Sequence, residues 1–232
     1  MFGKLSVVAA AVAAAALLTA TGDAATIVAR VDLKTPERPP HVINTNADAY
    51  CRDFHKTDKL MSEDVVANAN GTLSDTLVFL SEGVTGNYPA PKTPVLLDQH
   101  GCHYIPHVFG VMAGQPIEIR NSDPTLHNIH PLPKVNTPFN IGMPTKGMQQ
   151  TRVFDKPEAP FHVKCDVHPW MSGFIGVFSH PFFGVSNDQG VVEIQNVPAG
   201  TYTVESWQEK LGPKFQKITL GANDRKEIVF TY

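Results

Sequence analysis

The chain has 232 residues, 18% of them charged, and a formal net charge of −3 at pH 7. That near balance excludes the basic surface that nucleic acid requires. Once a leader is removed, roughly 200 residues remain, room for one large all-β domain or two small ones.

The first residues have the shape of a secretory signal. Lys4 supplies the positive start, Val7 to Leu18 is an unbroken apolar run, and small residues around Ala24 and Ala25 offer a cleavage site. The run is too short to span a bilayer. Residues 1–24 are therefore set aside as a signal peptide, which implies a periplasmic or secreted protein with no membrane span after its removal. The three cysteines, Cys51, Cys102 and Cys165, suit that compartment. If Cys165 holds a metal, Cys51 and Cys102 are left to pair; two free buried thiols are the alternative.

In chain order, Ala25 to Leu33 alternates and is β-branched, predicting a strand. Lys34 to Pro40 is a proline-rich connector. Residues 41–70 are polar and show no firm periodicity, although Ser62 to Ala67 has the composition of a short helical turn or a strand start. Asp75 to Leu80 predicts a strand, and Ser81 to Pro94, rich in Gly and Pro, a boundary. Strands follow at 95–99, 107–112, 115–121, 150–154, 161–165 and 173–178. Between them lie a polar loop carrying His127 and a long connection through Met143 and Met148. After residue 178, strands are expected at 191–194, 201–207, 217–220 and 227–232. No helix of ordinary length is expected, and the fold class is all-β, with roughly seven strands in the middle region forming a sandwich.

The chemistry concentrates at Cys165-Asp-Val-His168-Pro-Trp-Met171, a short loop between two strands. A thiolate, an imidazole and a thioether on one loop are soft or borderline donors, and they select copper over hard cations. A second imidazole is available upstream in Asn121-Ser-Asp-Pro-Thr-Leu-His127-Asn128-Ile-His130. A second cluster, His100, Cys102, His103 and His107, could hold another metal, but no carboxylate accompanies it in the sequence. Surface histidines flanking a disulfide are the preferred reading. Met61, Met143 and Met148 suggest copper trafficking less than they suggest gap filling.

Residues 93–181 resemble a cupredoxin, the blue copper fold, on Tyr104-Ile-Pro106, the Val111-x-x-Gly114 turn, Ile117 to Asn121, His127-Asn128 and the Cys-x-x-His-Pro-x-Met loop. The likeness is to the amicyanin type, which has the same short ligand loop. It implies a Greek-key β-sandwich with one type 1 copper held by His127, Cys165 and His168 in the plane and Met171 on the axis. It also implies that Asn128 ties the two ligand segments together and that His130 is not a ligand. His168 would lie nearest solvent, ringed by an apolar partner patch of Met143, Pro144, Pro169 and Trp170. The flanks, 25–92 and 182–232, match no lone cupredoxin. Asp188 to Val204 resembles a transthyretin-like or carboxypeptidase regulatory-like sandwich. Because neither flank has enough strands to bury a core, the two are expected to form one small sandwich around the inserted copper domain.

A site with every position filled by protein leaves no place for substrate, so the expectation is one-electron carriage rather than catalysis. The implied partners are redox proteins such as a c-type cytochrome or a dehydrogenase. A copper-binding or delivery protein without redox partners, or a structural module with a copper site, are the alternatives.

Overall fold

A computed structural model describes residues 24–34 and 40–232. The signal expected over 1–24 lies outside them except for Ala24, which already belongs to the first strand; residues 35–39 of the proline-rich connector also lie outside.

The described chain is all-β, with sixteen strands and one short helix. The flanks supply β1 (Ala24–Asp32), β2 (Leu77–Glu82), β12 (Phe183–Val185), β13 (Val191–Pro198), β14 (Gly200–Gln208), β15 (Gly212–Leu220) and β16 (Arg225–Thr231). They form two sheets, β13-β1-β16 and β12-β2-β14-β15. β1 runs parallel to β16, with Ile27 opposite Lys226 and Val31 opposite Phe230, so strands nearly 200 residues apart in the chain share one sheet. Alternation decides which side chains go inward: Ala25, Ile27, Ala29 and Val31 all face the core between these sheets. β15 begins at Gly212, five residues earlier than its periodicity predicts. Its first half alternates Lys and Gln with Phe215 at an exposed sheet edge, the kind of charged edge that discourages further pairing.

The middle region holds β3 (Val95–His100), β4 (His103–Ile105), β5 (Val108–Met112), β6 (Pro116–Asn121), β7 (His127–Pro131), β8 (Ile141–Met143), β9 (Gln149–Val153), β10 (Glu158–Lys164) and β11 (Ser172–Phe178). They form a β5-β11-β10-β7-β8 sheet and a β4-β3-β6-β9 sheet around a second core that includes Ile117, Ile119, Ile129, Phe161 and Ile175. The three-residue strands β4 and β8 were not expected, being too short to show a period. His127 opens β7 rather than sitting in a loop.

Where the two cores meet, β2 is buried on both faces. Val78 and Leu80 point into the flanking core, while Leu77 and Phe79 join Val108 and Phe178 in a third cluster. The space for it comes from paired glycines: Gly110 lies opposite Gly176 across β5 and β11. A Cβ at Gly110 would come within 2.6 Å of the Phe183 ring, and one at Gly176 within 2.9 Å of Leu77.

The aperiodic stretch 41–70 is mostly irregular. Ser62 to Ala67 forms neither a helix nor a strand; its contribution is the isolated bridge Ala67–Leu73. The one helix, α1 (Ala49–Phe54), starts at Asp48, whose carboxylate accepts from the backbone N–H of Cys51 as an N-cap. No helix among the described residues is long and apolar enough to cross a membrane.

Candidate metal centre

Cys165 follows the end of β10, and Met171 immediately precedes β11. The antiparallel pairing of these strands sets the width of the loop between them. The backbone N–H of Cys165 donates to the carbonyl of Met171, and the N–H of Met171 to the carbonyl of His168, so the loop is closed on itself. The N–H of His168 points at Sγ of Cys165, 3.3 Å away. β7 lies beside β10 and brings His127 to the same end of the sheet.

The result is a buried triad. Nδ1 of His127 lies 3.0 Å from Nδ1 of His168, and Nδ1 of His168 lies 3.9 Å from Sγ of Cys165. Taken together, the three donor atoms fall within 4.8 Å of one another. Met171 is fully buried in the same core. Asn128 accepts from the N–H of Asp166 through its side-chain oxygen, joining the His127 strand to the Cys165 loop. Tyr104 donates its hydroxyl to the Asn128 carbonyl at 2.6 Å. His130 turns away and pairs with Asp166 at 2.8 Å.

Two carboxylates that sequence reasoning missed orient the imidazoles. Nε2 of His127 lies 2.9 Å from Asp123, and Nε2 of His168 lies 3.5 Å from Asp48. His127 thus turns its Nε2 edge to an anion at hydrogen-bond distance, which favours the imidazole proton there and Nδ1 toward the triad, while Asp48 faces the Nε2 edge of His168 from farther off. Two imidazole nitrogens and a sulfur then face one another at close range, an arrangement that a cation would satisfy. Two nitrogens and a thiolate, with a thioether close in sequence, fit copper.

Asp123 is itself held by four donors: the backbone N–H groups of Gly101 and Cys102, the Tyr50 hydroxyl and His127. Gly101 and Cys102 both adopt left-handed φ values, +61° and +60°, which aim their successive N–H groups at the carboxylate. Burial would raise the Asp123 pKa, but these bonds outweigh it and hold it well below the usual carboxylate range. The same contest plays out at Cys165. Burial pushes its thiol up; contacts with His127 and His168 and the backbone N–H of His168 and Asn128 bring it down from 9.0 to about 6. The only signal for Asp123 in the sequence is its place four residues before His127 in a turn.

Cys51 and Cys102 form a disulfide. It takes them out of two further groupings around the triad, Asp48-Cys51-His168 and Cys102-Asp123-His127, because a disulfide sulfur is no thiolate ligand.

The expected solvent port is not there. His168 is only 1% exposed, covered by Asp48 and by Cys51 of α1. Met143 is likewise no part of a surface patch: it is fully buried, opposite His127 across β7 and β8, and its sulfur accepts from Gln99 at 2.9 Å. Pro144 and Pro169 are exposed. Trp170 is half-buried, with its ring 5.0 Å from that of His168 and its indole N–H donated to the Cys102 carbonyl. Of the second cluster's histidines, His100 faces Asp123 from the surface, whereas His107 lies between Glu63 and Glu209 with His103 lining the same cavity. Met61 is exposed, and Met148 packs against the second core.

No family profile matches the chain, and no curated relative matches it. Solved structures do. A copper-containing nitrite reductase from Thermus scotoductus SA-01 matches 42% of this chain at 24% identity and a TM-score of 0.32. This chain covers only 25% of that reductase. A purple cupredoxin from Nitrosopumilus maritimus matches over 36% of this chain and 98% of its own, at 20% identity and a TM-score of 0.31. A mutant of amicyanin in its Cu(I) form matches over 43% of this chain and 97% of its own, at 17% identity and a TM-score of 0.33. The chain's neighbours among solved structures are cupredoxins.

Proposed function

We propose that this chain is a type 1 copper protein that carries single electrons between redox partners after export to the periplasm or beyond, with no turnover of its own. The observation that carries the reading is the convergence of Nδ1 of His127, Nδ1 of His168 and Sγ of Cys165 within 4.8 Å in a buried pocket. His127, Cys165 and His168 would hold one copper ion, with Met171 as the fourth ligand. Copper bound there supplies a one-electron couple.

The protein's part is to keep the donors fixed and dry. Asp123 and Asp48 set the rings, Asn128 fixes the loop, and burial excludes water and substrate alike. An enclosed site of this kind favours electron carriage over chemistry on a bound molecule. Partners of the class of a c-type cytochrome or a dehydrogenase follow from that role. The domain reading has the copper unit, 93–181, inserted in one sandwich built from 25–92 and 182–232; the β1–β16 pairing and the shared flanking core support it.

An optical and EPR spectrum of the copper-loaded protein tests the assignment. An intense thiolate-to-copper band, with one copper per chain and a reversible couple, is the expected result. Copper that binds without a reversible couple favours delivery, and a colourless oxidised protein removes the type 1 reading.

A further inference from the structure

A second constellation lies one residue beyond the ligand loop, in a cavity of about 210 Å³ between the copper-type core and the flanking segments. Its walls come from three parts of the chain. Glu63 belongs to the irregular stretch before β2, Glu209 follows β14, and His103, His107 and Trp170 belong to the middle region. The side chain of His107 is 5% exposed and that of Glu209 4%.

His107 is oriented as a ligand would be. Its Nδ1 lies 3.0 Å from the carbonyl of Ser172, which fixes the ring proton at Nδ1. Nε2 is then buried and without a hydrogen-bond partner. Burial would lower the pKa of the ring, but Glu209, Glu63 and Asp75 outweigh it and raise that pKa, so a cation at Nε2 would take the place of a proton there. Nε2 faces Oε2 of Glu209 across 3.6 Å, too far for a hydrogen bond. Two ligand atoms on one tetrahedral ion, each about 2.0–2.2 Å from it, stand roughly 3.4 Å apart, so the gap has the width of a shared cation. Glu63 lies 3.7 Å from the other edge of the ring, with its side chain one-third exposed. Nδ1 of His103, in the same cavity, is also buried without a partner. Asp75 adds a further carboxylate nearby, and burial raises the pKa of both Asp75 and Glu63. Lys210 and His41 also line the cavity.

We infer that this cavity binds a divalent first-row transition-metal ion through Nε2 of His107 and the carboxylate of Glu209, with Glu63 and His103 as further ligands. Imidazole and carboxylate together suit zinc, manganese or cupric ions and disfavour the softer cuprous ion. Such an ion ties two flanking segments to Ser172, the residue that follows Met171. The site uses none of the triad residues and stands whether or not copper binds there.

Zinc is the probe. The full chain carrying one equivalent of copper, and separately a copper-free Cys165→Ser variant that lacks the thiolate, are dialysed against zinc and the bound metal is counted. Each is expected to take up one zinc per chain, saturably. Glu209→Gln and His107→Gln are expected to weaken that uptake about tenfold or more. Glu193→Gln, which alters an exposed carboxylate paired with Arg225, is the control and should change nothing. Crystals of the zinc-loaded wild type should show anomalous scattering beside Nε2 of His107, which decides the matter even if a variant fails to fold. No saturable uptake, uptake indifferent to both substitutions, or no anomalous peak beside Nε2 of His107 overturns the inference and leaves His107 as an ion-paired strut between two carboxylates.

Discussion

Nε2 of His168 lies 3.8 Å from Sγ of Cys51, so the imidazole edge turned away from the triad meets a disulfide instead of water. The cap around it is a small assembly. Asp48 starts α1 and also accepts from the Thr125 hydroxyl at 2.9 Å, Tyr50 reaches Asp123, and the Cys51–Cys102 bond fastens α1 to the turn after β3. An electron entering or leaving by way of His168 therefore crosses this cap or the Trp170 ring beside it.

Removing the disulfide should loosen the cap and lower stability together. The two cysteines are 51 residues apart in sequence, and closing a loop of that size constrains the unfolded chain by about 4 kcal/mol. Cys51→Ser/Cys102→Ser is expected to lose an amount of that order in denaturant unfolding and to make His168 accessible. Faster hydrogen exchange at 48–55 in the variant would report the loosening. An unchanged unfolding midpoint would show that the cap does not depend on the bond.

Asp123→Asn tests the second carboxylate. Four donors converge on its two oxygens, and an amide offers them one oxygen and a competing NH2 group. The expected cost is about 1–3 kcal/mol for the donors left unpaired. Copper affinity should fall roughly 10- to 100-fold as His127 loses the anion that fixes its tautomer. Competition with a chelator of known affinity measures it; unaltered affinity would mean that Asp123 serves only the Gly101–Cys102 turn.

The ligand loop was legible because Cys165, His168 and Met171 are close in sequence and the strands on either side alternate plainly. The pairing of β1 with β16 could be anticipated from the shortage of strands in each flank. The cap could not. α1 is six residues long inside an aperiodic stretch, and its partners Thr125 and Asp123 lie more than 70 residues away. Expecting His168 at the surface came from treating the copper unit as if it stood alone, whereas the preceding flank folds over it. Met143 misled in the same way: it looked like part of a loop because β8 has only three residues, too few to alternate visibly. Glu63 and Glu209 reach His107 from opposite flanks, so its neighbours in sequence include no carboxylate to mark it.

The Cys165 thiol gives a pH test on the metal-free protein. Its folded pKa of about 6 lies below its ordinary 9.0. A depressed acid adds stability that is complete above the unfolded value and is lost as pH falls through the folded one. The metal-free protein should therefore lose this contribution between about pH 9 and pH 6, and copper affinity should fall with pH once protons compete for the thiolate, below about pH 6. Thiolate ultraviolet absorbance, absent in Cys165→Ser, should titrate with a midpoint near 6. A midpoint near 9 would mean that the imidazole and backbone contacts do not outweigh burial.

His168→Gly separates a capped site from an open one. Deleting the ring removes one nitrogen donor and leaves a hole beneath α1, so the copper band should weaken or shift. Added imidazole can fill that hole only by passing the cap, because the buried Cys51 and His127 lie against His168, with Asp48 and Trp170 beside them. Recovery of the band by imidazole is therefore expected to be slow with the disulfide intact and markedly faster when His168→Gly is combined with Cys51→Ser/Cys102→Ser. Stopped-flow absorbance follows both. Equal rates in the two backgrounds would show that imidazole reaches the copper by another path and that α1 does not guard it; a slower rate without the disulfide would mean that the loosened cap collapses into the hole.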